Sequence, residues 1–238
     1  MAMFVHTKDC EISWNYLVPR RPRMKAIKIA FLLLVAFALT PKAYADGAPV
    51  TMVFTGVNGA NNGQYYVSPY YGTMNGQTVV LYCVDIINDV SFGQTWQANV
   101  TNLASGNLSN TRYGNSAISP VSAGAQVLYE EAAWLTTQFA SHPSDYVSLQ
   151  YALWDLMNPG SEPTTYGNVQ QWLNLAAANY GSVDVSQFSV VTNVGPLSLT
   201  GQVQEFIVRT PEPGTLALLL LGMIGVAIFI SRQRVARV

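Results

Sequence analysis

The chain has 238 residues, a formal charge of −1 and two cysteines. That near-neutral total hides three segments. The first 45 residues hold seven bases and two acids, the last 28 hold three bases and one acid, and residues 46–210 hold ten acids against two bases, Arg112 and Arg209. A middle segment of net charge −8 excludes a nucleic-acid partner, because such proteins need basic patches.

Met24 to Ala45 reads as a secretory signal peptide. Lys25 and Lys28 form a basic n-region, and Ile29 to Leu39 an apolar h-region. Ala43-Tyr44-Ala45 fits the small-x-small cleavage rule, which starts the mature chain at Asp46. Residues 1–23 carry Pro19, Pro22 and several charges without periodicity, so Met24 is a candidate start.

Residues 46–210 are 165 residues, one domain's worth and enough to bury a core. Val50 to Val57 is a strand candidate. Tyr65 to Tyr71 packs four tyrosines into seven residues, which suits cross-strand pairing or contact with sugars. Asn75-Gly76 is a strong hairpin signal, and the apolar, β-branched run Thr78 to Ile87 follows as a buried strand. Trp96, Ala98 and Val100 alternate with polar residues as a half-buried strand does.

Helical periodicity takes over between residues 120 and 180. Pro120 after a Ser119 cap opens a helix to about Ala140, with Val127, Leu128, Trp134, Leu135 and Phe139 as its apolar bulk. Ser144 caps a second helix that stops before Pro159-Gly160. A third runs from Val169 to Asn179, with Val169, Trp172, Leu173 and Ala176 inward and Gly181 as its C-cap. Strand patterning returns at Gln187 to Val194 and Gln202 to Val208. The expected fold is α+β: one domain of mainly antiparallel strands with an inserted three-helix segment, flanked by the signal peptide and a C-terminal transmembrane helix.

That helix belongs to Pro211–Val238. Pro211-Glu212-Pro213-Gly214 precedes an uncharged run, Thr215 to Ile230, and Arg232, Arg234 and Arg237 follow it. The run can enter hydrocarbon, where a central charge would cost about 2.5–3.5 kcal/mol. At 16 residues it is just under the usual span of about 17–25. The arginines mark the cytoplasmic end by the positive-inside rule. This order of Pro-Glu-Pro, apolar run and basic tail resembles the PEP-CTERM sorting signal of exported bacterial proteins. The resemblance implies processing near Pro211, Glu212 and Pro213 by an exosortase. It also implies membrane anchoring first, and then release to the envelope or extracellular matrix. A plain C-terminal anchor is the simpler alternative.

Two residues stand out within the middle segment. Cys83 is its only cysteine, and an exported protein normally pairs its cysteines or omits them. Gln150 falls inside the apolar stripe Tyr146, Leu149, Leu153, Trp154 and Met157, where an unpaired amide would cost about 1–3 kcal/mol. Tyr82-Cys83-Val84-Asp85 and Gln150-Tyr151-Ala152-Leu153-Trp154 are similar to the two motifs of bacterial thioester domains of surface adhesins. There a cysteine in an aromatic context is joined to the glutamine of a Gln-x-Ala-x-Trp motif. Cys83, Gln150, Ala152 and Trp154 match, with Tyr82 and Asp85 in support. Leu149 departs from the threonine common in that family. The resemblance implies a covalent adhesin that acts once, not a turnover enzyme, and whose partner is an amine-bearing surface or polysaccharide matrix. An inert buried pair in a passive matrix protein is the alternative.

Residues 46–210 contain no lysine, which spares neighbouring copies from attack by their own amines; an acidic composition alone also accounts for this. His142 is the only histidine of the segment, which leaves too few for a histidine-based zinc site. As a base for a Cys83 hydrolase it would need hydrogen-bond contact with the thiol. Asp85, Asn88 and Asp89 lack the spacing of an EF-hand loop and read as a turn. No Gly-rich phosphate loop or Gly-x-Ser-x-Gly elbow is present, so no cofactor is expected and no metal.

Overall fold

A computed structural model describes residues 49–161 and 165–210, together with Gly222, Ile224 and Gly225, which are helical. The cleavage residues Ala43 and Ala45, the sorting residues Pro211, Glu212 and Pro213, the basic tail Arg232, Arg234 and Arg237, and nearly all of the predicted span 215–230 lie outside the described residues. No helix among the described residues is long and apolar enough to cross a membrane.

Four strands come first: β1 (Val50–Val57), β2 (Tyr70–Met74), β3 (Gln77–Cys83) and β4 (Thr95–Asn102). Three helices follow, α1 (Ala125–Gln138), α2 (Tyr146–Met157) and α3 (Val169–Asn179), and then β5 (Phe188–Asn193) and β6 (Phe206–Arg209). The fold is α+β, and the helices are inserted between strands as their periodicity predicts. The strands form a closed antiparallel barrel in the order β1-β2-β3-β6-β5-β4. Closure pairs every strand on both sides, so none is left as a sticky edge.

Local chemistry explains much of this. In β1, Val50, Met52 and Phe54 point inward while their neighbours are less buried, the period-2 pattern of a strand with one wet face. Asn75 and Gly76 both have positive φ, 49° and 79°, as a tight two-residue hairpin requires. At Gly72 the barrel wall is close: a Cβ there would sit 2.8 Å from the Val53 carbonyl oxygen and 2.9 Å from a Leu81 methyl. Gly72→Ala should therefore cost about 1–3 kcal/mol by overpacking. The urea midpoint measures this, and an unchanged midpoint would show that the β1–β2 contact yields freely.

Several expectations needed adjustment. The run Thr78 to Ile87 leaves the sheet at Cys83, not Ile87. The Asp85 side chain turns the chain there by accepting from the backbone N–H groups of Ile87 and Asn88. Helix α1 starts at Ala125 rather than Pro120, behind a 3-10 turn at Ser122–Gly124. Its Val127 is 41% exposed, and Tyr129, Ala132 and Ala133 take up the buried face. Ser144 does not cap α2, and Gly181 falls within a 3-10 turn instead of ending α3 as a left-handed cap.

Helix α2 departs furthest from its pattern. Nine of its twelve residues are buried, from Ser148 to Met157 with only Asp155 spared in that run. It is not a one-sided amphipathic helix, because it contacts β3 as well as α1 and α3. A helix apolar nearly all round is what such a central position demands. This places Gln150 at 0% exposure against the strand that ends in Cys83.

Candidate functional site

The two misfit residues meet. Gln150 donates from Nε2 to the backbone carbonyl of Cys83 at 2.7 Å, across 67 residues of sequence. Its Oε1 accepts from the Ser68 backbone N–H at 2.9 Å. The Ser68 hydroxyl in turn accepts from the Cys83 backbone N–H at 2.9 Å. Ser68 thus ties the end of β3 to the body of α2. No local sequence signal marks it, since its role exists only once three distant segments converge.

The Cys83 thiol is fully buried. It donates to the Asp85 backbone carbonyl at 3.2 Å, and it accepts from the Asp85 backbone N–H at 3.4 Å and from the Trp154 indole N–H at 3.5 Å. Burial pushes the thiol up to about 12; the Trp154 hydrogen bond and the Arg112 charge pull against that shift without cancelling it. The group is a neutral thiol at physiological pH. Ala152 is fully buried on α2, and Tyr82 lies half-buried on β3 against the Phe139 ring, with centroids 5.1 Å apart.

The Asp85 carboxylate is engaged within the protein. It forms a fully buried ion pair with Arg112 and accepts further hydrogen bonds from the Asn88 amide and the Tyr113 hydroxyl. The Arg112 guanidinium also reaches Asn193 Oδ1 at 3.0 Å and the Val203 carbonyl at 2.8 Å. The backbone N–H of Arg112 donates to Glu205, which also receives hydrogen bonds from the Tyr129 and Thr192 hydroxyls. Burial raises the Glu205 carboxyl above its ordinary range despite these donors. No cluster of candidate metal ligands occurs among the described residues. His142 meets Trp172 edge-on with centroids 4.9 Å apart and bonds to Ser141 and the Gln138 carbonyl, whereas the hydrogen-bond partners of the Cys83 thiol are Asp85 and Trp154.

Above the thiol, Trp154 forms part of the wall of a surface cavity of about 210 Å³. Tyr65 meets Trp154 edge-on, with centroids 5.8 Å apart. The tyrosine cluster is therefore divided. Tyr70 and Tyr71 are strand residues, as cross-strand pairing predicts, but Tyr65 and Tyr66 belong to the loop over α2.

The chain beyond the barrel carries the deciding comparison. Residues 209–234 match the PEP-CTERM protein-sorting motif. That motif implies an exported, surface-sorted protein that is first anchored in the membrane and then processed by an exosortase. Its first residue, Arg209, is also the last residue of β6, so the sorting segment begins where the barrel ends. No curated protein and no solved structure matches the chain.

Proposed function

We propose that the exported domain is a covalent attachment module, using an internal thioester between Cys83 and Gln150 to fix itself to amines on a surface or matrix. The observation that carries this reading is the Gln150 side-chain amide fixed at both ends, its Nε2 on the Cys83 backbone carbonyl and its Oε1 under the Ser68 N–H. Such pre-positioning removes much of the entropic barrier to reaction between distant residues.

The chemistry balances with the groups present. Cys83 sulfur bonds to the Gln150 side-chain carbon, the C–N bond breaks, and the thiol proton leaves with ammonia. As the amide carbon turns tetrahedral, charge builds on Oε1, where the Ser68 N–H already donates at 2.9 Å. Stabilising that charge is the task of an oxyanion-hole donor. A target amine then attacks the same carbon, the C–S bond breaks, and the amine's proton passes to sulfur. The product is an amide through Gln150 and a free Cys83 thiol, so the protein acts once and is not a turnover enzyme. The raised thiol makes a poor leaving group, which suits a bond that must wait intact in water.

Full burial of Cys83 and Gln150 also favours a second reading, an inert pair in a passive matrix component. Intact mass separates the two. The thioester reading expects a chain lighter by one ammonia, which methylamine converts to an adduct located at Gln150. A full-mass chain that takes up no methylamine would leave the passive reading standing.

A further inference from the structure

We propose that the cavity beside Trp154 is a recognition pocket for a primary alkylammonium group, with Asp89 as its charge partner. Rings of Tyr65, Tyr66, Tyr70, Phe92 and Trp154 line it together with Asp89. Tyr66 is 50% and Phe92 60% exposed, so aromatic faces are presented to solvent. Asp89 is exposed and is the one charged side chain in the lining.

Ring geometry decides the class of ligand. Tyr66 meets Phe92 at 83°, Tyr65 meets Trp154 at 82°, and Tyr70 meets Phe54 at 85°. Rings at right angles build corners. A sugar stacks best on one open, flat face, whereas a compact cation gains from several ring faces and a carboxylate around it. No internal cation competes for this place among the described residues. Arg112 is buried on Asp85, and Arg209 bonds to Gln187, in the turn just before β5.

The pocket also lies next to the thiol. Trp154 belongs to its wall and donates to Cys83 sulfur, and the Asp89 charge acts on both Cys83 and Tyr70. Capture of an ammonium here concentrates amines on the Trp154 side of the Cys83 sulfur. That consequence rests on the thioester reading; the binding itself does not. Capture leaves the proton on nitrogen, and attack begins once it is lost to solvent.

The test uses the full chain in non-ionic detergent, carrying Cys83→Ala so that binding is seen without reaction. Ligand-observed NMR titrations compare Nα-acetyl-lysine N-methylamide, its neutral norleucine counterpart and cadaverine. The lysine probe is expected to bind about tenfold more tightly than the norleucine probe, and Asp89→Asn to weaken it about fivefold. Asp89→Glu should recover most of the loss, and Phe92→Leu should weaken both cations. Lysine-probe binding as tight as cadaverine's assigns the group to a protein side chain, while tighter cadaverine binding assigns it to a free diamine; both support the pocket. Equal binding of the norleucine probe, or an Asp89→Asn chain that binds unchanged, overturns it. Intact mass of the wild-type chain reports separately on the thioester, so either idea can fail alone.

Discussion

Replacing Arg112 with methionine destabilises the folded chain by about 3–5 kcal/mol, the cost of stranding a buried charge by removing its partner. Few domains tolerate a loss of that size, since total stability is about 5–15 kcal/mol. The Asp85 carboxylate would remain at 0% exposure with no cation against it. Asn193 Oδ1 and the Val203 carbonyl would also lose the donor they share. Guanidinium or urea midpoints measure the effect. The double variant Arg112→Met with Asp85→Asn should recover a substantial part, because it removes the stranded charge as well. Additive losses would show instead that the two side chains act independently, contrary to their pairing. The network bears on the site too, because the Asp85 backbone holds the Cys83 sulfur at 3.2 and 3.4 Å.

At any pH below 9, the free Cys83 thiol is expected to alkylate about a thousandfold more slowly in the folded chain than in the unfolded chain, since burial lifts it from 9.0 to about 12. This holds whether methylamine has released the thiol or it was never acylated. In the folded chain the rate should climb tenfold per pH unit until near 12, the thiolate being the reacting form. In the unfolded chain it should level off near 9. The fold disfavours the thiolate, so folded stability is unaffected below pH 9 and falls as pH rises from there toward 12. Timed alkylation followed by mass spectrometry gives both profiles. Equal rates would mean that water reaches the sulfur and the apolar shielding is not there. A Cys83→Ala chain, lacking the acyl acceptor, should take up no methylamine at all.

How much of this was legible beforehand depends on how local each feature is. Strand β1, the Asn75-Gly76 hairpin and helix α3 were readable because a few neighbouring residues dictate them. Barrel closure was not, since the β1–β4 and β3–β6 pairings join segments that carry no mark of each other. Gln150 showed itself as a polar residue among apolar ones, and Cys83 as a lone thiol in an exported chain. Arg112 drew no expectation beyond the charge count, although a base in so acidic a segment hints at a buried partner. Ser68 and Glu205 had no readable signal, as their work is done across 82 and 93 residues of sequence, with Gln150 and Arg112 respectively. The C-terminal motif was the most legible part because its order and spacing are the whole message.

Strand β6 has a mechanical consequence. It is the last strand before the sorting segment, and it is held on one side by β3 and on the other by β5. While the tail holds the chain at the membrane, a pull through that tail enters the domain at β6. Both ladders share that tension, so it cannot peel β6 away as it would an edge strand. On the β3 side the load reaches Cys83, whose register partner is Phe206. The strand that would bear the strain of attachment is thus hydrogen-bonded directly to the strand that carries the thiol.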